Sequence, residues 1–166
     1  MNRSIGRITS SLFLGTLLLI SACNQAPSRY DQVQQETSDR KAPPAVAQDA
    51  TQGGAFNRFF PRSVSGYEII PSQEKRGFAE YKVNQGGKTV AMLAINDTSG
   101  TDAASKFQGS TQTIAGYPAV QQGQNATAIL VNNRYQVKVL SRDPSFTAAD
   151  RAAWIEKFDL RGLSNL

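Results

Sequence analysis

The sequence is short of the residues that most often carry chemistry. Its 166 residues include no histidine and a single cysteine, Cys23. Histidine is the commonest general base and the commonest metal ligand, so its absence excludes a serine hydrolase of the usual kind. Metal sites built from histidine and cysteine are excluded for the same reason. One cysteine alone forms no intramolecular disulfide bond.

The remaining polar residues form no recognisable catalytic or metal-binding pattern. An all-oxygen calcium site would use aspartates, but their spacing is not that of a calcium loop. These aspartates are Asp97, Asp102, Asp143 and Asp150. Gly87-Lys88-Thr89 is similar to the end of a P-loop, but Lys82 stands where the motif needs its opening glycine,. The sequence therefore predicts a protein that is not an enzyme and that holds no cofactor or metal.

Long hydrophobic runs are absent as well. Leu12–Ile20 (LFLGTLLLI) has nine residues, whereas a membrane-spanning helix needs about 20. This stretch follows Met1–Ser11, which carries Arg3 and Arg7 and no acidic residue. A basic segment, a short apolar segment and small residues after it are typical of a secretory signal peptide. Residues 1–22 are therefore predicted to be a signal peptide.

The end of this signal, Ile20-Ser21-Ala22-Cys23, resembles the lipobox of bacterial lipoproteins. The resemblance implies that the Cys23 thiol receives a diacylglycerol and that Cys23 becomes the new N-terminus. Acyl chains such as palmitate anchor a protein stably, because each buried methylene contributes about 0.8 kcal/mol. The chain is then expected in the cell envelope, on the periplasmic side of the outer or the inner membrane. The alternatives are an uncleaved anchor, or a plain signal peptide with an incidental cysteine.

Residues 23–55 are predicted to be the lipidated cysteine and a disordered tether. Asn24–Ala55 is rich in Gln, Ala, Ser, Thr, Pro, Asp and Gly, and its only larger apolar residues are Tyr30 and two valines. Such a segment buries too little surface to offset the entropy lost on ordering. A short helix near Tyr30–Glu36 is the alternative. The globular domain is predicted to span Phe56–Leu166.

Hydrophobic periodicity predicts two strands early in this domain. Phe78–Asn84 alternates between apolar and charged residues, as a half-exposed strand does,. Lys88–Asn96 is apolar on both faces, which indicates a strand covered on both sides,. Between them, Gly86-Gly87 favours a tight turn.

Two further strands are predicted in the C-terminal half. Ala126–Val131 and Arg134–Leu140 flank Asn132-Asn133, which favours a two-residue hairpin turn,. The inward-facing residues of the second strand are predicted to be Tyr135, Val137 and Val139, and the outward-facing ones Arg134, Gln136 and Lys138. Before this hairpin, Ala115–Gln122 can extend, but Pro118 limits it to an edge or to the start of a strand.

Two helices complete the predicted elements. Thr101–Gln108 reads as a short helix with Thr101 or Asp102 as its cap,. The second helix begins at Thr147, with Asp150 as its capping partner. Its buried stripe is predicted to consist of Ala148, Ala152, Ile155 and Phe158, with Trp154 at the margin. Arg151 lies three residues before Trp154, so a cation–π stack between these two side chains is expected.

The elements predict an α+β fold. A single antiparallel sheet should carry a C-terminal helix packed on it, after the disordered N-terminal tether. No motif in residues 56–166 identifies a characterised family.

Basic residues near the start of the domain are the candidate binding site. They are Arg58, Arg62, Lys75 and Arg76, and they surround Phe59, Phe60 and Tyr67 in the sequence. Cations and aromatic rings together predict a surface for an acidic protein, an anionic lipid or a polysaccharide. The alternative is that the aromatic residues anchor the core and the charges form a solvated rim. Nucleic acid is not expected as a partner outside the cytoplasm.

The sequence thus predicts a membrane-anchored extracytoplasmic lipoprotein whose domain is a non-enzymatic binding or assembly module. The alternative function is a carrier or sensor of a small apolar ligand held between sheet and helix. The two functions differ in structure, because a binding module has an exposed patch and a carrier has an enclosed apolar pocket.

Replacing the cysteine tests the lipoprotein hypothesis. We expect Cys23→Ser to leave the protein unlipidated and largely unprocessed, because the lipobox reaction needs the thiol. Mass spectrometry of the mature N-terminus measures both effects. A wild-type protein whose N-terminus lies at another residue, or whose Cys23 is unmodified, contradicts the hypothesis.

Overall fold

The computed structural model describes residues 47–62 and 64–166. The predicted signal peptide, Cys23 and the predicted tether as far as residue 46 lie outside the described residues. The strands are β1 (Glu68–Lys75), β2 (Phe78–Gln85), β3 (Lys88–Asp97), β4 (Gln112–Ile114), β5 (Tyr117–Gln122), β6 (Ala126–Val131) and β7 (Tyr135–Ser141). The 3-10 helices are η1 (Gly53–Phe59) and η2 (Asp102–Phe107), and the α-helices are α1 (Ala148–Ile155) and α2 (Leu160–Ser164).

All seven strands form one antiparallel sheet in the order β1-β2-β3-β7-β6-β5-β4. The sheet therefore consists of two meanders, β1–β2–β3 and β4–β5–β6–β7, which join where β3 pairs with β7. The C-terminal helices pack on one face. This arrangement confirms the predicted fold class, an α+β domain with a single antiparallel sheet and a C-terminal helix packed on it.

The β2–β3 hairpin confirms the pattern read from the sequence. In β2, Ala79 and Val83 are fully buried and Lys82 is exposed. Gly86 and Gly87 connect the strands with φ angles of 56° and 78°. Two consecutive positive φ angles suit the right-handed twist of a hairpin and are best tolerated by glycine.

The β6–β7 hairpin has a longer loop than expected. Asn132 and Asn133 both adopt a φ of 51°, as their side chains permit,. However, Val131 pairs with Tyr135, so the loop has three residues and includes Arg134. The prediction of a two-residue turn was wrong by this one residue.

The first strand after η2 is short and lies at the edge of the sheet. β4 has three residues and pairs only with β5. Pro118 is the second residue of β5 and faces Thr113 of β4, and the pairing of β5 with β6 begins at Ala119. Proline lacks the amide hydrogen that a ladder needs. Its place at the start of the strand confirms the prediction for this segment.

The start of α1 confirms the predicted cap, but its buried face differs from the prediction. Thr147 and Asp150 form a capping box around the first turn,. Ala148 is exposed, whereas Arg151 and Trp154 are each 4% exposed. Trp154 is buried because the core continues beyond the sheet: the ring of Tyr67 meets it edge-on at 5.1 Å between centroids.

The second face of the sheet is partly covered rather than solvated. η2 places Phe107 on Ala128 and Leu130, and these three residues form a small second core. Gln136, which was predicted to point outward, does lie on this face but is only 5% exposed. Its amide oxygen accepts a hydrogen bond from Gln122 Nε2 at 3.2 Å. Because this face of the sheet is partly covered, the alternating pattern of β7 did not predict the burial of Gln136.

Residues 47–55 belong to the folded domain and not to a tether. Ala50 is 5% exposed. The amide of Thr51 donates to Asp97 Oδ2 at 2.8 Å, and its carbonyl accepts from the amide of Gly77 at 2.7 Å. A Cβ atom on Gly53 would overlap the carbonyl oxygens of Lys75 and Phe78. The predicted boundary at Phe56 was therefore placed too late, since backbone hydrogen bonds rather than apolar side chains attach this segment.

Truncating the largest fully buried side chain tests the core. Tyr135 is 1% exposed, its ring lies edge-on to Phe56 at 5.8 Å, and its hydroxyl is 3.3 Å from Thr51 Oγ1. We expect Tyr135→Ala to lower the free energy of unfolding by about 3–5 kcal/mol because it leaves a cavity. Tyr135→Phe, which removes only the hydroxyl, should cost about 1 kcal/mol.

Chemical denaturation of the chain from Asn24 to Leu166 measures both changes. A Tyr135→Ala variant as stable as the wild type would refute the assignment of this residue to the core.

Candidate functional site

The four predicted cations are all exposed, and the aromatic residues near them are not a surface. Phe59 and Phe60 are 2% and 3% exposed and belong to the core. The Arg58 guanidinium lies over the outer side of the Phe59 ring, 4.7 Å from its centroid. The Lys75 ammonium lies 5.2 Å from the ring centroid of Phe78. Only the charges therefore remain available to a partner.

The structure divides these cations into two pairs at the two ends of η1. Gly53, at its start, packs against the carbonyl oxygen of Lys75, which Arg76 follows. Arg58 lies in its last turn, and Arg62 follows shortly after. Among residues 47–62 and 64–166, none of the four forms an ion pair with a carboxylate.

The ion pair of the described residues joins Asp97 to Arg134. The Asp97 side chain is inaccessible to water, and the Arg134 Nη2–Asp97 Oδ2 distance is 2.8 Å. Asp97 also accepts hydrogen bonds from the amides of Thr51 and Ser99 and from the Ser99 hydroxyl. Burial raises the pKa of Asp97, but the hydrogen bonds from Arg134, Ser99 and Thr51 outweigh it and hold the pKa well below its ordinary value,. This network is structural, since it ties the N-terminal segment to β3 and β7.

A second buried charge, Arg151 on α1, has a different environment. Its Nε donates to Thr127 Oγ1 at 2.9 Å and its Nη1 donates to Ser141 Oγ at 2.8 Å. Its Nη2 donates to Gln121 Oε1 at 3.2 Å and to the carbonyl oxygen of Gln124 at 3.3 Å. All four acceptors are neutral. In the part of the chain that the structure describes, no carboxylate pairs with this guanidinium.

Sequence reasoning missed this residue, although the helical period contained the signal. Arg151 lies four residues before Ile155, which is fully buried, and residues four apart share a helix face. Arg151 was left out of the predicted buried stripe, in keeping with the rule that arginine is almost never fully buried unless it is paired. The expected cation–π stack on Trp154 is not among the contacts of the described residues, since the guanidinium points to Thr127 and Ser141 on the sheet instead.

The Arg151 side chain forms part of the wall of a cavity of about 430 Å³. The cavity lies where β7 ends and α1 begins. Its lining residues are Gln124, Asn125, Ser141, Arg142, Asp143, Pro144, Phe146, Thr147, Ala148 and Arg151. Polar and charged side chains predominate in this lining, and Pro144, Phe146 and Ala148 are its apolar members.

Two aspartates near this cavity are already engaged within the chain. Asp143 Oδ1 accepts from the amide and the hydroxyl of Ser145, and these bonds lower the pKa of Asp143. Asp150 Oδ2 accepts from the amide and the hydroxyl of Thr147, which lowers the pKa of Asp150 in the same way. Both carboxylates are therefore ionised at neutral pH and belong to loop and cap structure.

The described residues contain no group of three or more His, Cys, Asp and Glu side chains that are positioned to bind a metal ion.

None of the helices in residues 47–62 and 64–166 has the length and apolar character that a membrane span requires. The space between sheet and helices is filled by core side chains such as Phe56, Phe60, Trp154 and Phe158.

Comparisons with known proteins add no assignment. No protein-family model matches the sequence, and comparisons with curated proteins and with solved structures give no significant match. The function must therefore be argued from the residues themselves.

The pH dependence of stability tests the Asp97 network. We expect Asp97→Asn to lower the free energy of unfolding at pH 7 by about 1.5–3 kcal/mol, the range of a hydrogen bond to a charged group. A carboxylate whose pKa is lowered by folding stabilises above its unfolded pKa of about 3.9 and loses that effect as the pH falls further. The difference between wild type and variant should therefore narrow below about pH 4.

Denaturant titrations at a series of pH values measure this difference, with Asp102→Asn, an exposed aspartate, as the control. A difference that stays constant from neutral pH into strong acid would contradict the charged network.

Proposed function

We propose that the protein is a lipid-anchored extracytoplasmic binding or assembly module that contacts an acidic surface. The lipobox-like Ile20-Ser21-Ala22-Cys23 motif supports the anchor. The absence of histidine supports a function other than catalysis,. The partner that we favour is the anionic headgroups of the membrane that holds the anchor.

The observation that carries this proposal is the set of exposed cations without counter-ions. Arg58, Arg62, Lys75 and Arg76 are all exposed, and within the described ranges none of them pairs with a carboxylate. Exposed cations that pair with no carboxylate of their own chain can attract an anionic group of a partner. Residues 47–166 carry 13 Lys and Arg against 10 Asp and Glu, which gives the domain a net positive charge.

Two of these cations lie beside the segment through which the chain enters the domain. Arg76 Nη1 donates to the carbonyl oxygen of Gln48 at 2.7 Å, and the next residue, Gly77, bonds to Thr51. A domain anchored through Cys23 meets headgroups at a high effective concentration, so weak contacts are sufficient. Each basic side chain near an anionic membrane contributes about 1 kcal/mol.

The carrier function has less support from the described residues. An apolar ligand would need an enclosed apolar cavity between the sheet and the helices. That space is occupied by the aromatic and aliphatic side chains of the main core. The cavity beside Arg151 lies where β7 ends and α1 begins, and it is lined mainly by polar residues.

Vesicle binding tests the proposed contact. The unlipidated chain from Asn24 to Leu166 should bind vesicles that contain anionic phospholipid at low salt, and high salt should weaken this binding. Replacing Arg58, Arg62, Lys75 and Arg76 together by Gln should lower the affinity about 30-fold or more, since two to four contacts are lost. Gln retains much of the aliphatic stem that covers the aromatic rings.

A charge-matched control separates position from net charge. It replaces Lys82, Lys88, Lys157 and Arg161, which are also exposed, by Gln. The proposal requires this control to bind better than the first variant. The proposal is refuted if the wild type and the first variant bind vesicles equally, or if salt does not change the binding. The four cations would then be solvated surface residues without a binding role. Binding to an acidic protein or polysaccharide but not to vesicles would refute the membrane as partner.

A further inference from the structure

The charge of Arg151 is buried without compensation by an acid among the described residues. The side chain is 4% exposed, and its four hydrogen-bond acceptors are two hydroxyls, an amide oxygen and a backbone carbonyl. Arginine stays protonated in proteins, and a buried charge is costly unless it is paired. A neutral side chain of similar volume would avoid the desolvation penalty of the guanidinium. The presence of a charge at this position therefore requires an explanation.

Two hydrogen-bond donors at this cavity have no acceptor within the described residues. A guanidinium has five N–H groups, and the four hydrogen bonds of Arg151 leave the second N–H of Nη1 free. Nη1 is the nitrogen bonded to Ser141, and both residues line the cavity. Ala148, in the first turn of α1, also lines the cavity, and its amide has no acceptor.

The charges around the cavity favour a ligand with a single negative charge. Asp143 is the one acid in its lining, whereas Arg142 and Arg151 in the same lining and Lys88 nearby carry positive charge. The cations thus outnumber the acid, and the guanidinium of Arg151 has no counter-charge among the described residues. Pro144 and Phe146 supply an apolar part to the wall.

We propose that this cavity binds a small carboxylate, with the carboxylate oxygens accepting from Arg151 Nη1 and from the amide of Ala148. The apolar wall would receive the carbon end of the ligand. The carboxylate belongs either to a free organic acid or to the C-terminus of a peptide. This site is separate from the four exposed cations and does not depend on the membrane contact.

Ligand titrations on the full chain, purified in a non-ionic detergent, test the proposal at constant ionic strength. The probes are acetate for a free acid, N-acetylalanine for a peptide end, and N-acetylalaninamide as the uncharged control. The carboxylates should give saturable shifts of the Arg151 Nε–H and Ala148 amide NMR signals, and the amide should give none. A clear preference for N-acetylalanine over acetate indicates a chain end, and equal affinities indicate a free acid.

Three variants locate the site. Arg151→Gln should weaken binding about tenfold or more, the change that 1.4 kcal/mol produces, whereas Arg161→Gln, an exposed arginine on α2, should leave it unchanged. Ala148→Phe adds a large side chain at an exposed position of the cavity wall that is not among the acceptors of Arg151, and it should abolish binding. If Arg151→Gln does not fold, Ala148→Phe still tests whether the carboxylate binds in this cavity. Absence of a saturable shift in the wild type, or undiminished binding by Ala148→Phe, overturns the proposal.

Discussion

The architecture depends on covering both faces of the central strands. Six consecutive residues of β3, Val90–Ile95, are buried, and so are all six residues of β6. Strands of this kind are stable only when neither face meets water. η1, α1 and α2 cover one face, and η2 covers part of the other. This constraint determines where the helices pack on the sheet. It also determines where the polar side chains of α1, such as Arg151, meet the sheet.

Two buried charges, Asp97 and Arg151, are in opposite circumstances. Asp97 is neutralised by Arg134 and accepts further hydrogen bonds from two other residues, so its network is complete. Arg151 has hydrogen bonds but no counter-charge among the described residues. A closed pair holds segments together, whereas an open charge at a cavity wall retains the capacity to attract an anion. The same physical rule therefore assigns a structural role to Asp97 and a binding role to Arg151.

The sequence was informative wherever one local rule dominated. Alternation identified β2, the two glycines indicated the tight turn at Gly86-Gly87, and the cap at Thr147 was predicted from its side chain. It was misleading where tertiary contacts overrode local rules. Gln136 is buried on a face where the alternating pattern predicted exposure, and residues 47–55 are held by backbone bonds that composition does not report. The burial of Arg151 depends on acceptors from β5, β6 and β7 that converge only in the folded sheet.

The sheet gives the domain a direction. Thr51 is fixed beside Asp97 and Tyr135, at the start of β7, whereas Arg151 contacts Ser141, at the end of the same strand. Seven residues of strand separate these ends by about 20 Å at 3.3–3.4 Å per residue,. Among the described residues, the Asp97 network and the lining of the cavity beside Arg151 have no residue in common. The two ends of β7 can therefore differ in role, since one end fixes the N-terminal segment and the other end is open to a ligand.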